Sequence, residues 1–214
     1  TTPVRLIYDN PLVDRRAEPG THLSKTRDTL EFLLDNARDS VRIFCPYLTI
    51  TDEFQKILVR TAKRGVRLEI ITNSRDSDDI GKIPYFAAVS HYQELLKAGA
   101  HIYEWQGHHG LFAIEKKNGC EIPEGHWPGA TLHTKSVVID DSVALLGSHN
   151  LNTRSEGYNN ESMALVTDPA IAGQLSGIFS DDLDVVEPGV QRTIPCGDGV
   201  AERPRKVEEV TPER

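Results

Sequence analysis

Cysteine is scarce and scattered. Cys45, Cys120 and Cys196 make an odd number with no CxxC pair. That pattern excludes a disulfide framework and a thiolate zinc site, and leaves the redox compartment open. Long hydrophobic runs are missing too. Stretches such as Val143–Leu146 are strand-length, whereas a bilayer-spanning helix needs about 20 apolar residues. There is no basic excess: 24 Lys and Arg face 32 Asp and Glu, a net charge of −8. Strong nucleic-acid binders usually show the opposite balance, although a local basic groove is compatible with an acidic chain. The start carries no secretory-leader pattern and opens Thr1-Thr2 without methionine, as expected of a chain processed or cut from a longer one. No internal repeat is present. What remains is a globular composition, 38% hydrophobic and 26% charged over 214 residues. That is enough for one sizeable core, or a core plus a tail.

Periodicity orders the chain. Residues 4–8 alternate as a short strand, and Thr26–Ala37 places Leu30, Phe32, Leu33 and Leu34 as in an amphipathic helix. Val41–Tyr47 reads as a buried strand. Asp52 and Gln55 have capping-box spacing before a helix with Phe54, Ile57, Leu58 and Ala62 on one face, and Gly65 stops it. A strand at Val66–Ile71, a polar loop over 72–81, a helix at Tyr85–Ala98 and a strand at Ala100–Trp105 follow. This strand–helix alternation implies an α/β fold with a mixed, mostly parallel sheet flanked by helices. In such sheets the ligand lies beyond the carboxyl ends of the strands, so the loops after Tyr47, Ile71 and Trp105 should line the site.

Residues 106–130 form a long Gly-, Pro- and His-rich excursion with a short strand candidate at Leu111–Glu115, and loops of that length are often functional. Ser136–Ile139 and Val143–Leu146 read as strands about a tight turn at Asp140-Asp141-Ser142. Ser162–Val166 is a further strand and Pro169–Phe179 a helix. From residue 184 the charged, Pro- and Gly-rich composition predicts a poorly ordered tail, 184–214, after a catalytic domain over 1–183.

The chemistry concentrates in Leu132-His133-Thr134-Lys135, with Asp140, and then in Gly147-Ser148-His149-Asn150. On extended chain His133 and Lys135 share a face. An imidazole and an ammonium presented together suit a phosphate: one attacks or moves a proton, the other neutralises charge. Ser148 and Asn150 add neutral donors. Glu161 is placed to accept from the second ring nitrogen of His133, which would fix its tautomer. Asp140 falls at the turn and can bond its own backbone there, so a structural role is expected over a chemical one. His108, His109 and His126 have no carboxylate or cysteine partners at ligand spacing, so loop polarity or substrate contact is the expected role. Asn73 and Asp78 suit either a site loop or turn chemistry, and Trp105 and Trp127 either a lipid interface or packing.

HxKxxxxD followed by GSxN, here His133, Lys135, Asp140, Gly147, Ser148 and Asn150, resembles the signature of the phospholipase D superfamily. Upstream, Cys45-Pro46-Tyr47, Arg64-Gly65-Val66, Thr72-Asn73-Ser74 and Ile102-Tyr103-Glu104 are similar to the carboxyl-terminal half of bacterial cardiolipin synthases. Downstream, Asn152, Arg154, Ser155 and Glu161 continue the likeness, which runs from about residue 4 to 180. The resemblance implies His133, Lys135 and Asp140 as catalytic-motif residues, with Ser148, Asn150 and Glu161 as phosphate-binding or supporting residues. It implies no metal or cofactor. It also implies a two-step displacement at phosphorus, in which one motif histidine forms a phosphohistidine and the histidine of a second motif protonates the leaving oxygen.

The chain carries one such motif, since His22-Leu23-Ser24-Lys25 has the wrong spacing. A second must come from an identical chain in a homodimer, from a separate amino-terminal half, or not at all. The resemblance points to a phospholipid substrate, phosphatidyl transfer in the cardiolipin-synthase manner and peripheral membrane contact, with nucleic acid disfavoured. The rival expectations are a single-motif nuclease acting as a homodimer, and an inactive regulatory half.

Overall fold

A computed structural model describes residues 2–10, 24–75, 77, 80, 82–105, 131–183 and 205–207. In chain order the elements begin β1 (Val4–Tyr8), α1 (Lys25–Asn36), β2 (Ser40–Phe44), α2 (Asp52–Lys63), β3 (Arg67–Asn73), α3 (Lys82–Lys97) and β4 (His101–Trp105). They continue β5 (Ser136–Ile139), β6 (Val143–Gly147), α4 (Thr153–Gly157), β7 (Ser162–Val166), α5 (Pro169–Leu183) and β8 (Arg205–Val207). One sheet takes all eight strands, in the order β1-β7-β6-β5-β2-β3-β4-β8.

The fold is α/β and the sheet mixed, as the alternation predicts, but the expectation of a mostly parallel sheet is corrected. Its parallel character is confined to β2–β3 and β3–β4, which α2 and α3 connect. The other described pairings are antiparallel. The physical reason is local: a three-residue turn joins β5 to β6, and parallel neighbours need a long crossover. At that turn Asp140 and Asp141 have φ of 50° and 49°, and Ser142 N–H closes it onto Ile139 C=O at 3.0 Å. This is the type I′ pattern, which aspartate tolerates better than most residues.

The caps follow side-chain chemistry. Ser24 Oγ accepts from Arg27 N at the start of α1. Thr51, one residue before the expected cap at Asp52, accepts from Phe54 N at the start of α2. Helices α1 to α3 cover one face of the sheet, where Leu30, Leu34, Ile57, Leu58 and Tyr92 meet Val41, Ile43, Leu68, Ile70, Ile102, Val137 and Leu145. Phe32, expected on the apolar face of α1, instead points outward at 64% exposure. The other face packs on α5: Phe179 meets Phe44, Ile71 and Leu132, while Ala172 meets Val138, Ala144 and Val166. Full burial of each such leucine or phenylalanine stabilises by about 1.5–3 kcal/mol.

Strand β8 borders β4 at the sheet edge, so the expectation of an unstructured tail does not extend to residues 205–207. The strand candidate at Leu111–Glu115, together with His108, His109, His126, Trp127 and Asp78, lies outside the described residues.

Candidate active site

Because β5 runs antiparallel to β2, with Ser136 opposite Phe44, the segment just before β5 stands at the carboxyl ends of β2 and β3. His133 and Lys135 are on that segment. Its position is braced by Asn73, the last residue of β3. Asn73 Nδ2 donates to Leu132 C=O at 3.0 Å and to Pro46 C=O at 3.2 Å, while Leu132 N–H donates back to Asn73 Oδ1 at 2.9 Å. Ser77 Oγ donates to the same Oδ1 at 3.0 Å and to Trp105 C=O at 2.7 Å. One amide thus ties the loops after β2, β3 and β4 to the residue preceding His133. A lone Asn at a strand end gives no signal for this, since its partners are up to 59 residues away.

The His133 imidazole is exposed and meets the Tyr47 ring edge-on, with centroids 6.4 Å apart. Lys135 Nζ donates to His133 C=O at 2.8 Å, which keeps the ammonium beside the histidine. Next to them Ser148 follows β6. Gly147 is required there by close approach: a Cβ would sit 2.1 Å from Ser162 O and 2.7 Å from Met163 Cα. Ser148 Oγ donates to the Glu161 carboxylate and accepts from Ser162 N at 3.0 Å.

Glu161 is 7% exposed. Besides the Ser148 bond it accepts from Ser155 Oγ at 2.7 Å and Asn159 Nδ2 at 3.1 Å. Among the described residues no hydrogen bond joins it to His133, so the expected imidazole–carboxylate pair is replaced by a hydroxyl and amide cluster. Asn150 donates its backbone N–H to Ser155 Oγ at 3.2 Å, and its Oδ1 is buried with no hydrogen-bond partner among the described residues. Ser155 therefore links Asn150 to Glu161, a role its place beside Arg154 in the sequence does not announce.

Asp140 stands apart from this group. It lies seven residues of extended chain from His133, roughly 20 Å away at about 3.3 Å per residue. Its carboxylate accepts from the backbone N–H groups of Arg38 at 3.0 Å, Asp39 at 2.8 Å and Ser40 at 2.9 Å. The carboxylate of the motif aspartate thus binds backbone at the other end of β5 from His133.

Cys45 lies beneath the site. Burial pushes its thiol up to about 11, against the opposing effects of its bonds to Leu151 N and Tyr47 O and of nearby Lys135. A thiol held protonated is a poor nucleophile. Glu156, in α4, accepts from Thr51 N at 3.1 Å and from Thr51 Oγ1, and burial raises its carboxyl above the ordinary range. Among the described residues no group of three or more His, Cys, Asp or Glu is placed to hold a metal ion.

An open end of a mixed α/β sheet presenting imidazole, ammonium and hydroxyl is compatible with the expected phospholipase D-like domain. The comparisons agree. The chain belongs to the phospholipase D superfamily, in the family described as cardiolipin synthase, PLD-like domain, whose model matches residues 30–183. A cardiolipin synthase A of Citrobacter koseri is 30% identical over 68% of this chain and 25% of its own length. An uncharacterised Helicobacter pylori protein is 33% identical over 75% of this chain and 30% of its own. The chain thus spans less than a third of these relatives. Among solved structures, the phospholipase D family member Nuc of Salmonella typhimurium is similar with a TM-score of 0.57 and 18% identity, covering 85% of this chain and 93% of that one. NucT of Helicobacter pylori gives a TM-score of 0.59 at 16% identity, covering 85% and 95%. At that identity the likeness speaks to the fold.

Proposed function

We propose that this chain supplies one half-site of a phospholipase D-type phosphodiesterase or phosphatidyltransferase acting on phospholipids. His133 serves as nucleophile or proton-transfer partner, and Lys135, Ser148 and Asn150 hold phosphate oxygens. The observation that carries this reading is the exposed His133 imidazole beside Lys135 and the Ser148–Glu161 pair at one open end of the sheet. One histidine attacks phosphorus and forms a phosphohistidine as the leaving oxygen takes a proton from the histidine of a second motif. Water or an alcohol then resolves the intermediate. Splitting the displacement in two, with positive charge and hydrogen-bond donors already in place, lowers a barrier that is high for a phosphodiester.

A lipid substrate is favoured by the family description and by exposed apolar side chains at the helix that follows β3. There Ile80, Ile83 and Phe86 are 64%, 83% and 58% exposed around the start of α3, a disposition suited to peripheral contact with a bilayer. Among the described residues no helix is long and apolar enough to cross a membrane. The second motif comes from another copy or another half.

The test is turnover of labelled phosphatidylglycerol by the purified chain beside His133→Ala, with DNA and an aryl phosphodiester in parallel. Lipid turnover that vanishes in the variant, with native mass showing a dimer, supports the reading. Preference for DNA would replace it with a nuclease. Activity unchanged in His133→Ala, or turnover by a monomer, would refute the two-histidine site.

A further inference from the structure

Asp9 belongs to no part of the motif and stands 124 residues before His133, yet it is 3% exposed and built into the underside of the site. Strand β1 pairs with β7 so that Tyr8 faces Ser162, which sets Asp9 beside Glu161. The two are joined twice: Asp9 N–H donates to Glu161 C=O at 2.9 Å, and Glu161 N–H donates to Asp9 Oδ2 at 3.0 Å. Further bonds to the Asp9 carboxylate come from the start of α1. Thr26 N donates to Oδ1 at 3.2 Å, Thr26 Oγ1 to Oδ2 at 2.9 Å and Ser24 Oγ to Oδ2 at 3.4 Å.

We propose that Asp9 is a positioning residue of the phosphate site, acting through Glu161 on Ser148 and Asn150; the proposal rests on the phosphodiester reading above. The path is short and polar throughout. Asp9 holds the Glu161 backbone, the Glu161 carboxylate takes Ser148 Oγ and Ser155 Oγ, and Ser155 Oγ takes the Asn150 N–H. A carboxylate suits this place because donors converge on both its oxygens. An asparagine has the same shape but offers one oxygen and turns an NH₂ toward N–H and O–H donors. In one orientation that NH₂ meets Glu161 N–H and in the other Thr26 N–H, so Asp9→Asn disturbs this junction without opening a cavity. One of its bonds to α1 can be removed separately: Thr26→Val deletes the Oγ1 donor and leaves the Glu161 side intact.

The experiment compares wild type, Asp9→Asn, Thr26→Val, Glu161→Gln and the Asp9→Asn/Glu161→Gln double variant. Thermal midpoint, kcat and KM are measured for each on phosphatidylglycerol. Asp9→Asn is expected to lower kcat on the order of tenfold, short of the ~100-fold that a 1 Å misplacement can cost, with KM within about twofold. Thr26→Val lowers the midpoint and leaves kcat unchanged. In the double variant the loss in kcat is no greater than in Glu161→Gln alone, because both changes act along one path. Equal losses of kcat in Asp9→Asn and Thr26→Val, or additive losses in the double variant, overturn the proposal.

Backbone amide exchange gives a reading independent of turnover. Ser148 N–H, bonded to Ser162 C=O at 2.9 Å and not to Asp9, exchanges faster in Asp9→Asn but not in Thr26→Val. Unchanged exchange at Ser148 in Asp9→Asn also overturns the proposal. A wild-type chain inactive on every substrate would place the second motif on a separate half, while the exchange result would still decide the coupling.

Discussion

Replacing Asp140 should damage stability and leave the chemistry alone. In Asp140→Ala the backbone N–H groups of Arg38, Asp39 and Ser40 lose a shared charged acceptor. A hydrogen bond to a charged group contributes ~1.5–3 kcal/mol, but Arg38 and Asp39 are exposed and water takes over part of the loss. Alanine must also adopt the φ of 50° that Asp140 holds, at ~1–2 kcal/mol. Together these effects predict a loss of about 3–4 kcal/mol. For a domain of this size each kcal/mol moves Tm by about 2–4 °C, so the drop should approach about 10 °C. Asp140→Asn keeps one acceptor oxygen and tolerates the turn, so it should lose less than half as much.

The assay pairs thermal unfolding with turnover per folded molecule, measured well below the lowered Tm. kcat should stay within about twofold of wild type, since Asp140 stands roughly 20 Å from His133. His133→Ala should show the converse, an unchanged Tm and no turnover. A folded Asp140→Ala with wild-type Tm and a thousandfold lower kcat would refute the placement of this aspartate outside the reacting group.

Other consequences follow from single contacts. Gly147→Ala places a Cβ 2.1 Å from Ser162 O, so either the β6–β7 pairing shifts or the chain fails to fold. A loss of at least about 3 kcal/mol is expected in denaturant unfolding, and a neutral result would refute that register. Glu156 has a folded-state pKa raised above its ordinary 4.5, chiefly by burial. A raised carboxyl favours folding below the unfolded pKa, and that benefit is lost as pH climbs through the folded value. The Tm of Glu156→Gln minus that of wild type should therefore grow between about pH 4 and neutrality; a flat or falling difference would contradict the burial argument. Ile83→Asp with Phe86→Asp should cut turnover of vesicle lipid while sparing a soluble aryl phosphodiester, because these side chains are exposed and belong to no part of the motif. Equal loss on both substrates would mean this face does not meet lipid.

Much of the fold could be read from periodicity because its signals are local. The apolar spacing in α2, the alternation in β3 and β4, and the strands about Asp140-Asp141-Ser142 each lie within a dozen residues. Sheet direction was less legible. Helical connections at α2 and α3 correctly imply parallel neighbours, but β2 also pairs with β5 across 92 or more residues, and β1 pairs with β7 across 154 or more. Nothing local encodes such partners. Phe32 shows the limit of pattern reading from the other side: its spacing suits the apolar face, yet α1 turns it to solvent.

By itself the sequence determined the motif chemistry. His133 and Lys135 are expected to share a face because extended chain has a period of two, and Gly147, Ser148 and Asn150 follow because a tight turn returns the chain alongside. Tertiary structure alone decided which motif residues meet. Strand β5 is long enough to carry Asp140 to the far end of the sheet, where its carboxylate satisfies backbone donors of the α1–β2 connection. Antiparallel pairing of β1 with β7 brings Asp9 to Glu161, and the loop end of β3 brings Asn73 to Leu132. Those contacts join residues far apart in the chain. They exist only after the sheet has closed around them.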